Sequence, residues 1–359
     1  MADAGSQTAP MSIDLSGGLG ADREYFLVDP PAPEIRDSTS FWAYDDSGFI
    51  GLPRIGIEAV GAKWAEHQYQ VNLAFADGRV FRVRQSGPRH SPLAADGSAS
   101  VLGAGPLRFH CVEPYAVSTA TFDGTATATT TAALLAGDRG GRPAHLQFHL
   151  RATMVAPPWL NGSLSVAAAE HLKSAVQGGF MGGNRFEQLF RAEGYVRVDG
   201  EEHAFSGSGT RVRRQGPRDM AGFWGHCQQS ATFPSGRGFG YVAYRPNPDG
   251  TGTYNEGYVF NGDGKLVPAR VVWAPWLSAA PKIGDDVSLV LESELGTVNI
   301  DGVTTVSVFN LGDPHSDNAL AALHQAGVRY RWGEETASGA LERSTPPREI
   351  PELLATWKP

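Results

Sequence analysis

The chain has 359 residues, 41% hydrophobic and 19% charged, which is enough to bury two cores of about 150 residues each and excludes a disordered chain. Its formal net charge of −8 gives no overall electrostatic reason to expect a nucleic acid partner. Two cysteines, Cys111 and Cys227, exclude a disulfide framework and lack metal-motif spacing, and no apolar run approaches the roughly 20 residues of a membrane-spanning helix.

Residues 1–20 are small and polar and read as a disordered tail without a secretory leader, so a soluble, cytoplasmic protein is expected. Across the chain, 44 glycines and 24 prolines punctuate many short strands. Residues 68–75 alternate polar and apolar, turn at Asp77-Gly78 and continue through 80–83; residues 193–198 do the same and turn at Asp199-Gly200. Further alternating runs occupy 287–292 and 304–308. Asp96-Gly97, Asp123-Gly124, Asp249-Gly250, Asp263-Gly264 and Asp301-Gly302 are the other Asp-Gly pairs, a dipeptide suited to tight hairpin turns.

Helical patterns are scarce, with 165–176 and 317–325 as the two candidates. His145 and His149 would converge on a helix, but their setting alternates like a strand, which holds them about 13 Å apart and denies them a shared metal. Arginine runs at Arg79, Arg82, Arg84 and Arg89, and at Arg211, Arg213 and Arg214, read as solvated strand faces. Residues 85–90 echo 214–219, a suggestive internal repeat. The expected architecture is all-β: two antiparallel barrels over 21–170 and 171–359, each enclosing apolar space. No phosphate-binding glycine loop and no Gly-x-Ser-x-Gly elbow is present.

The densest stretch runs through Phe186-Glu187-Gln188, Gly207-Ser208-Gly209, Arg218-Asp219 and Trp224-Gly225-His226-Cys227. Here the sequence resembles the AttH-like and hydroxyneurosporene synthase family, which includes carotenoid 1,2-hydratases. Ser40-Phe41-Trp42, Glu113-Pro114 and residues 333–342 sit in family-like order. The chain departs by carrying residues 220–223 where the family has His-Ser, and Cys227 where it ends on Arg.

The resemblance implies two lipocalin-like barrels and cofactor-independent hydration, dehydration or cyclisation at a double bond of a hydrophobic terpenoid, steroid or polyketide-like substrate. Such chemistry needs a dry pocket, a carboxylic acid kept protonated by apolar surroundings, and aromatic faces for a developing cation. Asp219, Glu187 and His226 are the expected catalytic groups. Arg218, Trp224, Tyr254, Trp273, Trp276, Gln188 and Cys227 are the expected substrate contacts. His226 and Trp224, two residues apart, are expected to share one strand face. A non-catalytic carrier of a hydrophobic ligand is the alternative, no metal or other cofactor is expected, and a homodimer is compatible with the sequence.

Overall fold

The computed structural model describes residues 13–177, 183–218, 223–247, 249, 251–313 and 315–352. The period-two runs become long strands. A first sheet contains β1 (Ile35–Asp45), β2 (Ile50–Val60), β3 (Glu66–Phe75), β4 (Arg79–Pro88), β5 (Val101–Ala104), β6 (Leu107–Glu113) and β7 (Val117–Thr130). It continues with β8 (Arg142–Met154), β9 (Trp159–Leu160), β10 (Asn184–Val198) and β11 (Glu201–Pro217). Its order is β4-β3-β2-β1-β11-β10-β8-β7-β6-β5, and pairing of β4 with β7 closes eight of these strands on themselves. Closure leaves those eight without free edges.

A second closed barrel runs in sequence order through β12 (His226–Thr232), β13 (Gly238–Tyr244), β14 (Asn255–Phe260), β15 (Leu266–Trp273), β16 (Leu289–Ser293), β17 (Gly296–Leu311), β18 (Ala322–Trp332) and β19 (Glu335–Thr345). Sheet membership therefore changes between Pro217 and His226, whereas the sequence placed the division at 170/171. The reason is that β10 and β11 bond to β8 and β1, far back in the chain. Alternation marks a strand but says nothing about its partner. The echo between 85–90 and 214–219 accordingly joins the ends of two strands of one sheet, β4 and β11, rather than two halves.

Asp77-Gly78, Asp199-Gly200 and Asp263-Gly264 turn between consecutive strands as expected, with each glycine at positive φ. Asp123-Gly124 and Asp301-Gly302 instead lie inside β7 and β17. The candidate helix at 165–176 forms as α2 (Val166–Gln177), after the short α1 (Thr131–Leu135). The candidate at 317–325 is one 3-10 turn leading into β18. His145 and His149 are exposed on strand β8. Among the described residues, no helix is long and apolar enough to cross a membrane.

Each barrel interior is occupied by its own side chains. Phe41, Phe75, Phe109, Phe148 and Phe190 belong to the first core, and Tyr241, Phe239 and Tyr330 to the second. Space for a ligand lies instead where the barrels meet, which corrects the expectation of an apolar chamber inside each barrel. Trp42, Tyr44, Val306, Val308 and Ala340 form one apolar contact across that junction. Gly51 and Gly327 make room for the Tyr44 ring, since a Cβ at either would sit 2.7 or 2.5 Å from its Cδ1.

Candidate functional site

The outward rows of the two barrels face a cavity of about 550 Å³. On the first barrel, Ser38, Ser40 and Trp42 recur every second residue along β1, because alternate side chains leave opposite faces of a strand. Their register neighbours are Glu58 and Gly56 on β2 and Arg214 and Val212 on β11. Gln68 and Gln70 of β3, Arg84 of β4 and Arg185 of β10 extend the same wall. On the second barrel, His226 and Gln228 of β12 stand beside Glu342 and Ser344 of β19 and beside Tyr244 and Val242 of β13. All of these but Ser344 line the cavity, as does Phe223.

Arg54 enters from a bulge in β2, where the pairing with β3 breaks between Gly51 and Gly56. Its backbone takes φ +68°, a left-handed conformation that costs a non-glycine residue energy and persists only when surroundings hold it. Asn72 holds it, donating to the carbonyls of Pro53 at 2.9 Å and Arg54 at 3.2 Å. The guanidinium then lies 5.5 Å from the centre of the Trp42 ring and 3.7 Å from Glu342.

Glu342 is the hub of the second wall. Its Oε1 is 3.2 Å from Nε2 of His226, and its Oε2 accepts from Nε2 of Gln325 at 2.6 Å. Nδ1 of His226 is 2.8 Å from the Ser344 hydroxyl. Burial alone pushes the Glu342 carboxyl up, but the Arg54 charge and the bonds from His226 and Gln325 outweigh it and hold the pKa down at about 2. Glu187 shows the opposite balance. It is buried beside Arg185, at 2.5 Å, and accepts from Gln228 at 2.8 Å, yet burial prevails and raises its pKa.

Several expected residues come together here. His226 and Arg218 line the cavity, Arg218 lying 3.7 Å from Glu58, while Glu187 stands directly behind Gln228 and Arg185. Asp219 lies outside the described residues. The others do not join the site. Trp224 and His226 do not share a strand face, because Gly225 at φ +132° turns the backbone before β12 begins. Trp224 lies near Arg245 and Arg348, and Phe223 packs on His226 in its place.

Gln188 is a buried structural clasp, donating to the carbonyls of Leu15, Tyr115 and Ala156. Tyr254 donates to Glu256, which in turn caps the backbone amides of Gly162, Leu164 and Ser165 and so anchors the approach to α2. Cys227 faces the second core and Trp276 packs against it, whereas Trp273 is 65% exposed.

Arg54, Glu58, Arg84, Arg185, Arg214, Tyr244 and Glu342 are functional candidates that the motif reading missed. Arg211, Arg213 and Arg214 are not solvated either; all three are buried. A signal was present in the polar residues spaced two apart along β1, β3 and β12. It is unreadable without knowing that a second barrel covers that face.

The model of one family, described as a "Domain of unknown function (DUF7064)", matches residues 27–347, and this chain belongs to that family. No curated protein matches the sequence. Among solved structures, an AttH-type protein from Nitrosomonas europaea is similar at 13% identity, with TM-score 0.57 over 87% of this chain and 92% of that one. Kievitone hydratase from Nectria haematococca gives 10% identity and TM-score 0.53 over 91% and 93%. CghA gives 12% identity and TM-score 0.52 over 88% of each chain. At these identities the likeness establishes the fold, the paired lipocalin-like barrels of AttH-type proteins.

Proposed function

From that fold and this cavity, we propose that the chain is a cofactor-independent acid/base enzyme of hydratase type, a lyase or isomerase acting at a double bond of a small molecule held between the barrels. The observation that carries the reading is the His226–Glu342 pair on the cavity wall, fixed by Ser344 and Gln325. The name of one structural neighbour, kievitone hydratase, agrees with it.

Hydration adds a proton to one alkene carbon and hydroxide to the other, so it needs an acid and a base within proton-transfer reach of the bound alkene. The base is assigned to His226. Glu342, kept ionised, accepts from Nε2 and orients the ring, so the proton that water gives up arrives at Nδ1 through the Ser344 hydroxyl bonded there, and Glu342 stabilises the imidazolium that forms. The acid is assigned to Glu187, whose burial favours the protonated carboxyl; it stands one side chain behind the wall, against Gln228 and Arg185, so its proton reaches the alkene only when these side chains make way. Dehydration runs the same groups in reverse. Trp42, Phe223 and Tyr244 offer aromatic faces to electron-poor carbon in the transition state.

Incubating the full chain with fractionated metabolite extracts in ¹⁸O-water tests this by mass spectrometry. The expected result is a compound that gains one labelled water, with His226→Asn slowing its formation by about 10²–10⁴-fold while the fold is retained. Retention of an unaltered compound with no label incorporation favours the carrier reading instead.

A further inference from the structure

The cavity is not the apolar slot that a purely hydrocarbon substrate requires. Among the described residues five arginines line it, Arg54, Arg84, Arg185, Arg214 and Arg218, against two glutamates, Glu58 and Glu342. Arg36 also draws on Glu58, at 2.6 Å, and Arg185 is committed to Glu187 behind the wall. Arg214 is the extreme case. It is only 6% exposed, and among the described residues its guanidinium makes no hydrogen bond or ion pair. Its register neighbours across the two flanking strands are Ser38 and Arg185, neither an anion.

The Nε atoms of Arg54 and Arg185 are likewise buried without a hydrogen-bond partner among the described residues. Among the described residues Arg84 has only a long 3.5 Å contact to Gln70. Burying an uncompensated cation is among the costliest arrangements in a protein, and it persists where a bound anion completes it. Burial and the neighbouring charges of Arg218 and Arg185 press Arg214 to lose its proton and outweigh the opposing pull of Tyr244 and Glu58, a stress that a bound oxyanion relieves.

We infer that Arg214, with Arg185, Arg218, Arg54 and Arg84 around it, forms an oxyanion subsite, and that the ligand carries a dianionic head, a phosphate ester or a dicarboxylate. This deepens the proposed function in that it rests on the same cavity being the substrate site. Guanidinium groups suit both heads because each presents paired oxygens to a planar donor fork. The substrate is then an amphipathic acid: its charged end sits on the arginine wall, and its apolar part meets Trp42, Phe223 and Tyr244.

Binding to the full chain is measured by calorimetry and thermal shift with inorganic phosphate, pyrophosphate and succinate, at ionic strength held constant with sodium chloride. At least one dianion is expected to bind and stabilise the protein where chloride does not. Arg214→Met and, at the exposed edge of the wall, Arg84→Gln are each expected to weaken it tenfold or more. Arg331→Gln, in an exposed pair with Asp301, leaves it unchanged. Preference for succinate or for the phosphates decides which head the substrate bears.

The inference is overturned if dianions act no differently from chloride, or if both cavity variants bind as wild type does. No turnover is needed, so the two readings fail separately. Anion binding without labelled-water incorporation removes the hydratase reading alone, and turnover of an uncharged alkene without anion binding removes this one alone.

Discussion

Consecutive residues of one strand give β11 two faces with opposite treatments of buried arginine. On the inward face, Arg211 and Arg213 are fully met. Arg211 pairs with Glu24, one contact at 2.9 Å, and reaches Gln188; Arg213 pairs with Asp37 and donates to the carbonyl of Tyr25 at 2.7 Å. Their guanidinium groups also lie over Phe186 and Phe26. On the outward face, Arg214 is as deeply buried and has no such carboxylate. Equal burial with unequal pairing separates what holds the barrel together from what awaits a ligand.

The sharpest way to break this contrast is to remove each arginine in turn. Arg213→Met strands the buried Asp37 carboxylate, so unfolding in urea should show a loss of about 3–5 kcal/mol. Arg214→Met removes a buried cation that has no ion pair among the described residues, and the denaturation midpoint should rise in the ligand-free protein. Two neighbouring arginines would then shift stability in opposite directions. A loss of similar size for both variants would mean that Arg214 is structural and the comparison fails.

A somewhat smaller effect, of the order of 3 kcal/mol, belongs to Glu342, whose pKa falls from an ordinary 4.5 to about 2 in the folded chain. A depressed carboxylate binds fewer protons folded than unfolded. Its stabilising contribution is therefore complete above the ordinary value and is lost as pH falls from about 4.5 towards 2. Glu342→Gln should be less stable at neutral pH and should show a flatter acid limb across that window, read by denaturant titration at a series of pH values. An unchanged acid limb would remove Arg54 and His226 as the charges that hold Glu342 ionised.

Much of this architecture was open to reading from the chain. Period-two runs located β3, β4 and β10, and Asp-Gly pairs located three of the hairpins. The stretch around the Arg-Asp…Trp-Gly block contributes Arg218 and His226 to the cavity wall. What stayed hidden was every feature that depends on a distant partner. Glu342 meets His226 across 116 residues of sequence, and Glu24 meets Arg211 across 187, so no local window could reveal whether an arginine is solvated, paired or waiting. Trp224 misled for a local reason: Gly225 changes the backbone's direction just where alternation was being extrapolated.

The least costly change concerns the junction itself, where close packing of the barrels is needed to close the cavity. Gly327 lies on β18 opposite Val306 of β17, and an added Cβ there would fall 2.5 Å from the ring of Tyr44 on the other barrel. Tyr44 is 1% exposed and cannot swing aside, so Gly327→Ala must push the barrels apart or strain the ring. Overpacking of this kind costs about 1–3 kcal/mol. It should act on both regions at once, lowering the melting temperature modestly and weakening dianion binding without touching any arginine. An alanine that lowers stability while leaving dianion affinity intact would show that the arginine wall is complete on the first barrel alone, with the second barrel supplying only His226 and Glu342 to whatever is bound.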